Sequence, residues 1–199
     1  AFFFNLNAIK SGKSRPAGFP RWKPAKVGVL GAGMMGAGIS HANAARGISC
    51  VLRDVDVEKA QAGLTAIEQI VAPQVAKGRM TDAEAAALLQ RVIVTTGVAD
   101  LKGCDLIIEA VFERRDLKAA VTREAEPMLA EGGVFASNTS TLPISGLAEA
   151  SARPERFVGL HFFSPVHKMK LVEIIRGRAT SDETLAETLQ AMCGVEPIM

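Results

Sequence analysis

The 199-residue chain has few cysteines and little net charge of either sign. Its cysteines, Cys50, Cys104 and Cys193, are odd in number and lack metal-ligand spacing, so we expect no disulfide framework and no metal site. Cys50 and Cys104 fall in apolar, strand-like stretches, which favours buried free thiols in a reducing compartment. The net charge of +2 favours neither nucleic acid nor an anionic membrane as the main partner.

A signal for membrane insertion is also weak. The stretch Val27–Ala45 carries no formal charge and is about long enough to span a bilayer, but it holds five glycines and three polar side chains. The apolar start Ala1–Phe4 is too short for a signal-peptide core and follows no basic segment. We therefore predict no membrane span, and a strand, turn and helix at Val27–Ala45.

The composition is 48% hydrophobic and 22% charged, which fits one sizeable core with a possible appendage. Residues 1–10 suggest a short apolar-faced helical turn, and residues 11–25, rich in Gly, Pro and basic side chains, an extended linker. A basic nucleic-acid arm with Trp22 as the stacking residue is the alternative for the linker. Because the chain begins with Ala rather than Met, we expect an excised fragment.

A glycine pattern joins an apolar run to a helix-like segment. Gly31 permits a tight turn, Gly33 lets the backbone approach a pyrophosphate, and Gly36 lets helix and strand pack closely. The phosphates would lie at the helix N-terminus, which begins with Met34 and Met35, because free N–H groups and the helix dipole favour negative charge there. The pattern predicts a dinucleotide site; a glycine-rich turn without a ligand is the alternative.

An acid ends the second predicted strand. Asp54 follows the glycines by about 20 residues, where an acid that binds the ribose 2′-OH is expected. Side chains alternate between the faces of a strand, so Arg53 should point away from Asp54. Arg53 therefore need not mark a 2′-phosphate site.

Strand-like and helix-like segments alternate along the chain. The predicted strands are 27–30, 48–54, 92–95, 105–111 and 133–137, and the predicted helices are 34–46, 56–77, 81–90 and 114–130. Continuous apolar runs such as Leu106–Ile108 are typical of strands buried on both faces. The alternation predicts an α/β fold, with a doubly wound, Rossmann-type, mostly parallel sheet.

The helices predicted at 56–77 and 81–90 are together longer than the usual helical connection between two parallel strands. Gly78 and a capping box, Thr81-x-x-Glu84, separate them. We expect a projecting helical arm over residues 56–90. Its composition alone would indicate only a solvated helix pair.

The pattern changes after residue 150. The runs Phe157–Phe162 and Leu171–Ile175 are strand-like and could pair as a hairpin. A helix is predicted at 181–193, capped by Ser181, and the start of another strand at 195–199.

Three histidines are candidates for a catalytic role. His161 ends an apolar strand, and open α/β sheets place their ligand crevice at strand ends. His41 falls inside the first helix, and His167 lies in a polar loop where solvation is expected. If the two strands of the hairpin pair, Glu173 could hold the imidazole of His161 in one tautomer and stabilise its protonated form. Spacing alone leaves a purely structural His–Glu pair equally open.

Polar residues also follow the strand predicted at 133–137. The segment Asn138–Thr141 includes Ser140 and could supply hydroxyls to the same crevice. It could equally cap the next helix.

Several longer motifs resemble one family. GAGMMGAG, EAVFE, SNTSTLPI, HFFSPVHKMKLVEIIRG and TSDETL together resemble the L-3-hydroxyacyl-CoA dehydrogenases, above all the dehydrogenase part of multifunctional fatty-acid β-oxidation enzymes. The resemblance runs from about residue 26 to the end. Glu196 before Pro197, where relatives often carry Lys, is a minor departure.

The resemblance implies roles for particular residues. His161 matches the catalytic base, Glu173 its carboxylate partner, and Ser140 a serine close to both substrate and nicotinamide. The implied positions that bind NAD are Gly31, Gly33, Met34, Met35, Gly36, Asp54, Val111, Phe112, Glu113, Lys118, Asn138, Ser140 and Ser164. The arm is implied to border the CoA of the acyl-CoA substrate, where Lys77 and Arg79 could meet its phosphates; a solvated charge pair is the equal alternative.

The resemblance also implies an activity and a domain organisation. The activity is NAD-dependent oxidation of (3S)-3-hydroxyacyl-CoA to 3-oxoacyl-CoA in fatty-acid β-oxidation. Residues 1–25 resemble the connector from an enoyl-CoA hydratase domain, and residues 26–199 the NAD-binding domain. A helical C-terminal domain, which carries the family's catalytic asparagine and much of its dimer contact, would follow past Met199. The implied location is cytoplasmic, or the mitochondrial matrix or peroxisome in a eukaryote, and a homo-oligomer is possible.

Two other functions stay open. One is a dehydrogenase of a different hydroxy acid, such as the gulonate dehydrogenase and lambda-crystallin branch, which the hydratase-like connector disfavours. The other is an NAD-binding or structural module without turnover. The set of His161, Glu173 and Ser140 favours chemistry in the parent protein.

Overall fold

The computed structural model describes residues 15–169 and 171–193. The helical turn predicted in residues 1–10 and the strand predicted at 195–199 lie outside the described residues, as does the side chain of Cys193. No helix among the described residues has the length and apolar character needed to cross a membrane.

Seven strands form one sheet in the order β3-β2-β1-β4-β5-β6-β7. The strands are β1 (Lys26–Leu30), β2 (Ser49–Arg53), β3 (Val92–Thr95), β4 (Cys104–Glu109), β5 (Leu129–Ser137), β6 (Phe157–Phe162) and β7 (Val172–Ile175). All neighbours pair in parallel except β6 and β7, which are antiparallel. The α/β, mostly parallel sheet and the hairpin are therefore confirmed.

Six α-helices accompany the sheet in the described residues. They are α1 (Met34–Ala44), α2 (Val57–Ala76), α3 (Asp82–Gln90), α4 (Arg115–Ala125), α5 (Ile144–Leu147) and α6 (Asp182–Cys193). The predicted caps are confirmed. Thr81 and Glu84 form the capping box of α3, and the Ser181 hydroxyl accepts from the Thr184 N–H at 3.1 Å in α6.

Both faces of the central strands are buried. Leu106 and Ile108 of β4 pack into one core with α1 and α2, while Ile107 packs into a second core with α4 and α5. Adjacent residues of a strand point to opposite faces, so a continuous apolar run supplies both cores. The doubly wound architecture follows from this alternation.

The helix predicted at 114–130 is wrong in its last part. Helix α4 ends at Ala125, a 3₁₀ turn covers Glu126–Met128, and β5 already begins at Leu129. Pro127 has no N–H to continue the helical hydrogen bonds. The buried Glu126 carboxylate accepts from the backbone N–H of Ala152 at 2.7 Å and so ties this turn to the segment before β6.

The arm formed by α2 and α3 packs along one face. Ile67 and Val71 of α2 and Leu88 of α3 are buried in the same core as α1. Residues 77–79, in the turn between the two helices, are exposed. The helix pair is thus anchored to the sheet along its inner face and reaches solvent at its tip.

Residues 15–25 form neither helix nor strand, as expected of an extended segment, but they pack on the domain. The Arg15 guanidinium donates to the carbonyl of Ala186 at 3.1 Å, and half-buried Trp22 contacts the core. The backbone N–H of Ala25 donates to Asp105 at 2.7 Å. This segment is held against the domain, and the packing of Trp22 disfavours a role in base stacking.

Candidate functional site

Most of the candidate residues gather at the carboxyl edge of the parallel strands. Residues that follow β1, β2, β4, β5 and β6 all lie at this edge, because parallel strands end on the same side. Strands β2 and β3 lie on one side of β1, and β4 and the later strands lie on the other side, so the strand order reverses at β1. Such a reversal opens the crevice in which doubly wound sheets bind ligands.

The glycine loop has the shape that a pyrophosphate cradle needs. Gly31 has φ +92°, and a Cβ on Gly36 would lie 1.7 Å from the carbonyl oxygen of Gly31. A Cβ on Gly33 would meet nothing within 4 Å, so this backbone faces open space. Helix α1 starts there with no side-chain cap and no acidic residue in its first turn. Its free N–H groups are available to phosphate oxygens, and the loop therefore fits a dinucleotide.

Asp54 and Arg53 point to different surroundings, as predicted. The Asp54 carboxylate accepts from the backbone N–H of Ala32 at 2.8 Å and of Val55 at 2.7 Å. The Arg53 guanidinium binds both carboxylate oxygens of Glu124, at 2.9 and 2.8 Å, on α4. Arg53 is thus engaged in an ion pair away from Asp54, and the acid remains at the glycine loop.

An apolar rim surrounds the loop. Met34 and Phe112 are exposed, whereas Met35 and Val111 are half-buried against the two cores. The hydroxyl of Ser164 lies 3.6 Å from the sulfur of Met34. These predicted cofactor positions therefore border the same crevice.

Pairing of β6 with β7 sets His161 directly opposite Glu173. His161 Nδ1 lies 2.9 Å from Glu173 Oε2, and His161 Nε2 lies 3.2 Å from the hydroxyl of Ser140. A carboxylate only accepts hydrogen bonds, so Nδ1 carries the proton and Nε2 is left as an acceptor. The Glu173 side chain is 52% exposed because β7 is an edge strand. The apolar residues beside Glu173 in the sequence suggest a more buried position.

The other two histidines lie away from this arrangement. His41 is buried in α1, and its Nδ1 has no hydrogen-bond partner among the described residues. Burial lowers the pKa of His41 to about 4, and the nearby His167 contributes to this decrease. His167 is exposed, as expected, and its ring lies 6.4 Å from that of His41. Partial burial lowers the pKa of His167, and the positive charge of Lys168 lowers it further. Both imidazoles are neutral at neutral pH, and neither reaches Ser140.

Asn138 and Glu113 fix the segment that carries Ser140. The side-chain oxygen of Asn138 accepts from the N–H of Phe162 at 2.9 Å and joins the ends of β5 and β6. Glu113 Oε1 accepts from the backbone N–H groups of Ser140 and Thr141, each at 3.0 Å. Helix α5 has no side-chain cap, so this segment does not cap it, and the Ser140 hydroxyl is exposed at the crevice.

Two of the implied positions lie apart from the open crevice. The Lys118 side chain is 1% exposed, and its ammonium binds Glu109 and Glu113. Lys77 is exposed in the turn after α2. Since α2 has 20 residues, this turn lies about 30 Å along the helix from the end of β2.

Sequence reasoning missed Glu109 and Ser137, which lie under the site. Glu109 ends β4 fully buried and accepts from the Ser137 hydroxyl and from Lys118. A carboxylate that ends the apolar run Leu106–Ile108 is the signal for such a pair, because a charge there needs a partner.

Comparison with known proteins agrees with the fold and identifies a family. Residues 26–198 match the family model of the 3-hydroxyacyl-CoA dehydrogenase NAD-binding domain. The (S)-3-hydroxybutyryl-CoA dehydrogenase of Ralstonia eutropha is 38% identical with a TM-score of 0.82, and the match covers 86% of this chain and 62% of that one. The 3-hydroxybutyryl-CoA dehydrogenase of Escherichia coli K12 is 33% identical with a TM-score of 0.81, over 86% of this chain and 37% of that one.

A further match shows the fold alone. The dehydrogenase part of multifunctional enzyme 1 from C. elegans has 24% identity and a TM-score of 0.80, over 95% of this chain and 46% of that one. The chain thus spans less than two thirds of the length of these solved structures. The extent of the family match shows that the chain belongs to the 3-hydroxyacyl-CoA dehydrogenase family, an oxidoreductase family, as its NAD-binding domain.

Proposed function

We propose that this chain supplies the NAD site and the catalytic His161–Glu173 pair for oxidation of (3S)-3-hydroxyacyl-CoA to 3-oxoacyl-CoA in fatty-acid β-oxidation. The observation that carries the proposal is the chain of contacts from Ser140 through His161 to Glu173 beside the glycine loop. It gives one imidazole nitrogen a fixed carboxylate partner and leaves the other facing the crevice. This arrangement suits a general base that is oriented by a third group.

In the proposed reaction, His161 Nε2 accepts the proton of the substrate 3-hydroxyl. Glu173 accepts from Nδ1–H throughout, which fixes the tautomer and stabilises the imidazolium that forms. The Ser140 hydroxyl, 3.2 Å from Nε2, orients the substrate oxygen. NAD, when bound, supplies the hydride acceptor for C3.

The cofactor would be held by the groups at the carboxyl edge. The N-terminus of α1 and the backbone of Gly33 bind the pyrophosphate, and Asp54 accepts from the ribose 2′-OH. The apolar rim of Met34, Phe112 and Val111 excludes water around the rings. The CoA thioester substrate is supported by the names of the Ralstonia eutropha and Escherichia coli proteins.

We further propose that turnover takes place in a longer parent protein. Support comes from the relatives, which extend well beyond the matched part, and from the half-exposed Glu173 that a further domain would cover. The proposed partners are a helical C-terminal domain, an enoyl-CoA hydratase domain and a second copy of the protein. Buried free Cys50 and Cys104 support a reducing location, the cytoplasm or, in a eukaryote, the mitochondrial matrix or peroxisome.

The same half-open site supports a second candidate for the isolated chain. With Glu173 at 52% exposure, water competes for the reacting groups, and the chain by itself would bind NAD without turnover. Assays of acetoacetyl-CoA reduction with NADH, on this chain and on the full-length parent, separate the two. Reduction by the parent alone supports the proposal, and no reduction by either contradicts it.

We expect the chain to bind NADH at least about tenfold more tightly than NADPH, which corresponds to ~1.4 kcal/mol. The Asp54 carboxylate repels a 2′-phosphate, and Arg53 is held by Glu124. Fluorescence titration of both cofactors measures the ratio, with Asp54→Asn as the comparison, in which the preference should fall. Equal affinities in the unmodified chain would show that Asp54 does not set the selectivity.

At the arm, Lys77→Ala in the parent should raise KM for the acyl-CoA by about threefold to tenfold at low salt and leave kcat unchanged. The proposed contact is between the exposed ammonium and a CoA phosphate, and salt screens such contacts. Exposed Lys102→Ala is the matched control. A KM unchanged at low salt would leave Lys77 as a solvated charge.

A further inference from the structure

A buried cation lies under the Ser140 segment. Lys118 Nζ lies 2.9 Å from both carboxylate oxygens of Glu109 and 3.3 Å from Oε2 of Glu113. The side chains of Lys118 and Glu109 are each 1% exposed, and Glu109 also accepts from the Ser137 hydroxyl. Lysine and glutamate are this deeply buried only when they are paired. The proposed proton transfer uses neither of them.

Glu113 connects this cation to the catalytic segment. Its Oε2 faces Lys118, while its Oε1 accepts from the N–H groups of Ser140 and Thr141 at 3.0 Å. The same oxygen accepts from the hydroxyls of Thr139 at 2.5 Å and Thr141 at 3.1 Å. One carboxylate therefore holds three successive residues, with Ser140 in the middle.

The charges of these groups fit that arrangement. Burial acts to raise the pKa of Glu113, but the hydrogen bonds from Thr139, Ser140 and Thr141 and the charge of Lys118 outweigh it and lower the pKa to about 2. Burial raises the pKa of Glu109, and Lys118 and Ser137 oppose that effect. Glu113 therefore remains an ionised acceptor through the physiological pH range.

We propose that Glu109 and Lys118 are positioning residues that act on the catalytic site through Glu113. The inference rests on the proposed function of Ser140 and His161. Glu109 holds Lys118, Lys118 holds Glu113, and Glu113 holds the segment Thr139–Thr141. The Ser140 hydroxyl is thereby kept 3.2 Å from His161 Nε2.

The test removes the buried pair as a unit. The double variant Glu109→Gln/Lys118→Met leaves no unpaired buried charge, and the amide oxygen introduced in place of the Glu109 carboxylate can still accept from Ser137. Glu109→Gln/Lys118→Gln is the second variant if the first does not fold. The control, Arg53→Met/Glu124→Gln, removes another ion pair between α4 and the sheet. This control shows how loosening of α4 alone affects amide exchange at Ser140 and Thr141.

The main measurement is amide hydrogen exchange in this chain without substrate or cofactor. In the double variant the amides of Ser140 and Thr141 should exchange at least about tenfold faster, while the core amide of Val29 changes by less than about threefold. Glu113→Gln should give the same local pattern. The control should leave Ser140 and Thr141 within about threefold. In the parent, kcat should fall about tenfold.

Unchanged exchange at Ser140 and Thr141 in the double variant would overturn the positioning role. A role for Lys118 in NAD contact alone would raise the Kd for NADH in that variant and leave amide exchange unaltered. Equally fast exchange of these two amides in the Arg53→Met/Glu124→Gln control would show that any loosening of α4 has this effect. The exchange measurement needs no turnover. Selective loosening in a parent without dehydrogenase activity would thus contradict the proposed function and leave the positioning role standing.

Discussion

Replacing His161 by Gln should lower kcat for 3-hydroxyacyl-CoA oxidation by about 10²–10⁴-fold in the full-length parent. Gln cannot accept the hydroxyl proton, although it can still hydrogen-bond to Ser140 and Glu173. The Kd for NADH should change by less than about threefold, because the imidazole serves the substrate oxygen. Steady-state rates and fluorescence titration measure the two quantities.

Exposed His167 is the matched control for His161. His167→Gln should stay within about tenfold of the unmodified rate, since its ring faces His41 rather than Ser140. Glu173→Gln should fall between the two variants, because Gln can orient the imidazole but does not stabilise its charged form. A large loss in His167→Gln with none in His161→Gln would show that His161 is not the base.

Replacing Gly36 by Ala should destabilise the domain by roughly 3 kcal/mol or more and abolish tight binding of NADH. The added Cβ would lie 1.7 Å from the carbonyl oxygen of Gly31, so the turn or the helix must move. For a domain of this size we expect a Tm lower by about 6–12 °C. Calorimetry and NADH titration measure the two effects.

Gly33→Ala separates folding from binding at the same loop. A Cβ there meets nothing within 4 Å, so Tm should change by less than about 3 °C. NADH affinity should still fall by about tenfold or more, because the methyl group would stand where the pyrophosphate approaches. If Gly33→Ala keeps full NADH affinity, the phosphates do not lie on this loop.

The architecture was predictable because its signals are local. The spacing of Gly31, Gly33 and Gly36 and the alternation of strands and helices lie within short windows of sequence. The contact of His161 with Glu173 was also predictable, once the hairpin was assumed, because antiparallel pairing places residues on one face opposite each other. Arg53 and Asp54 diverge because successive side chains of a strand alternate between its faces.

Other features depend on contacts between segments distant in sequence. The helix predicted to continue to residue 130 ends at Ala125, because Glu126 is bound by residues near 151 and Pro127 lacks a donor. The pairing of Glu109 with Lys118 joins a strand end to a helix, and apolar periodicity does not indicate such a bond. The Lys118 ammonium is bound to two carboxylates, and its contact with NAD stays a prediction.

The central claim is that this chain holds NAD beside a histidine base for 3-hydroxyacyl-CoA chemistry. Its most direct test is stereochemical analysis of acetoacetyl-CoA reduction by NADH in the full-length parent, with and without His161→Gln. The account predicts (3S)-3-hydroxybutyryl-CoA as the product and a rate about 10²–10⁴-fold lower in the variant. A parent that binds NADH but forms no 3-hydroxybutyryl-CoA, or a His161→Gln variant with the full rate, would contradict it.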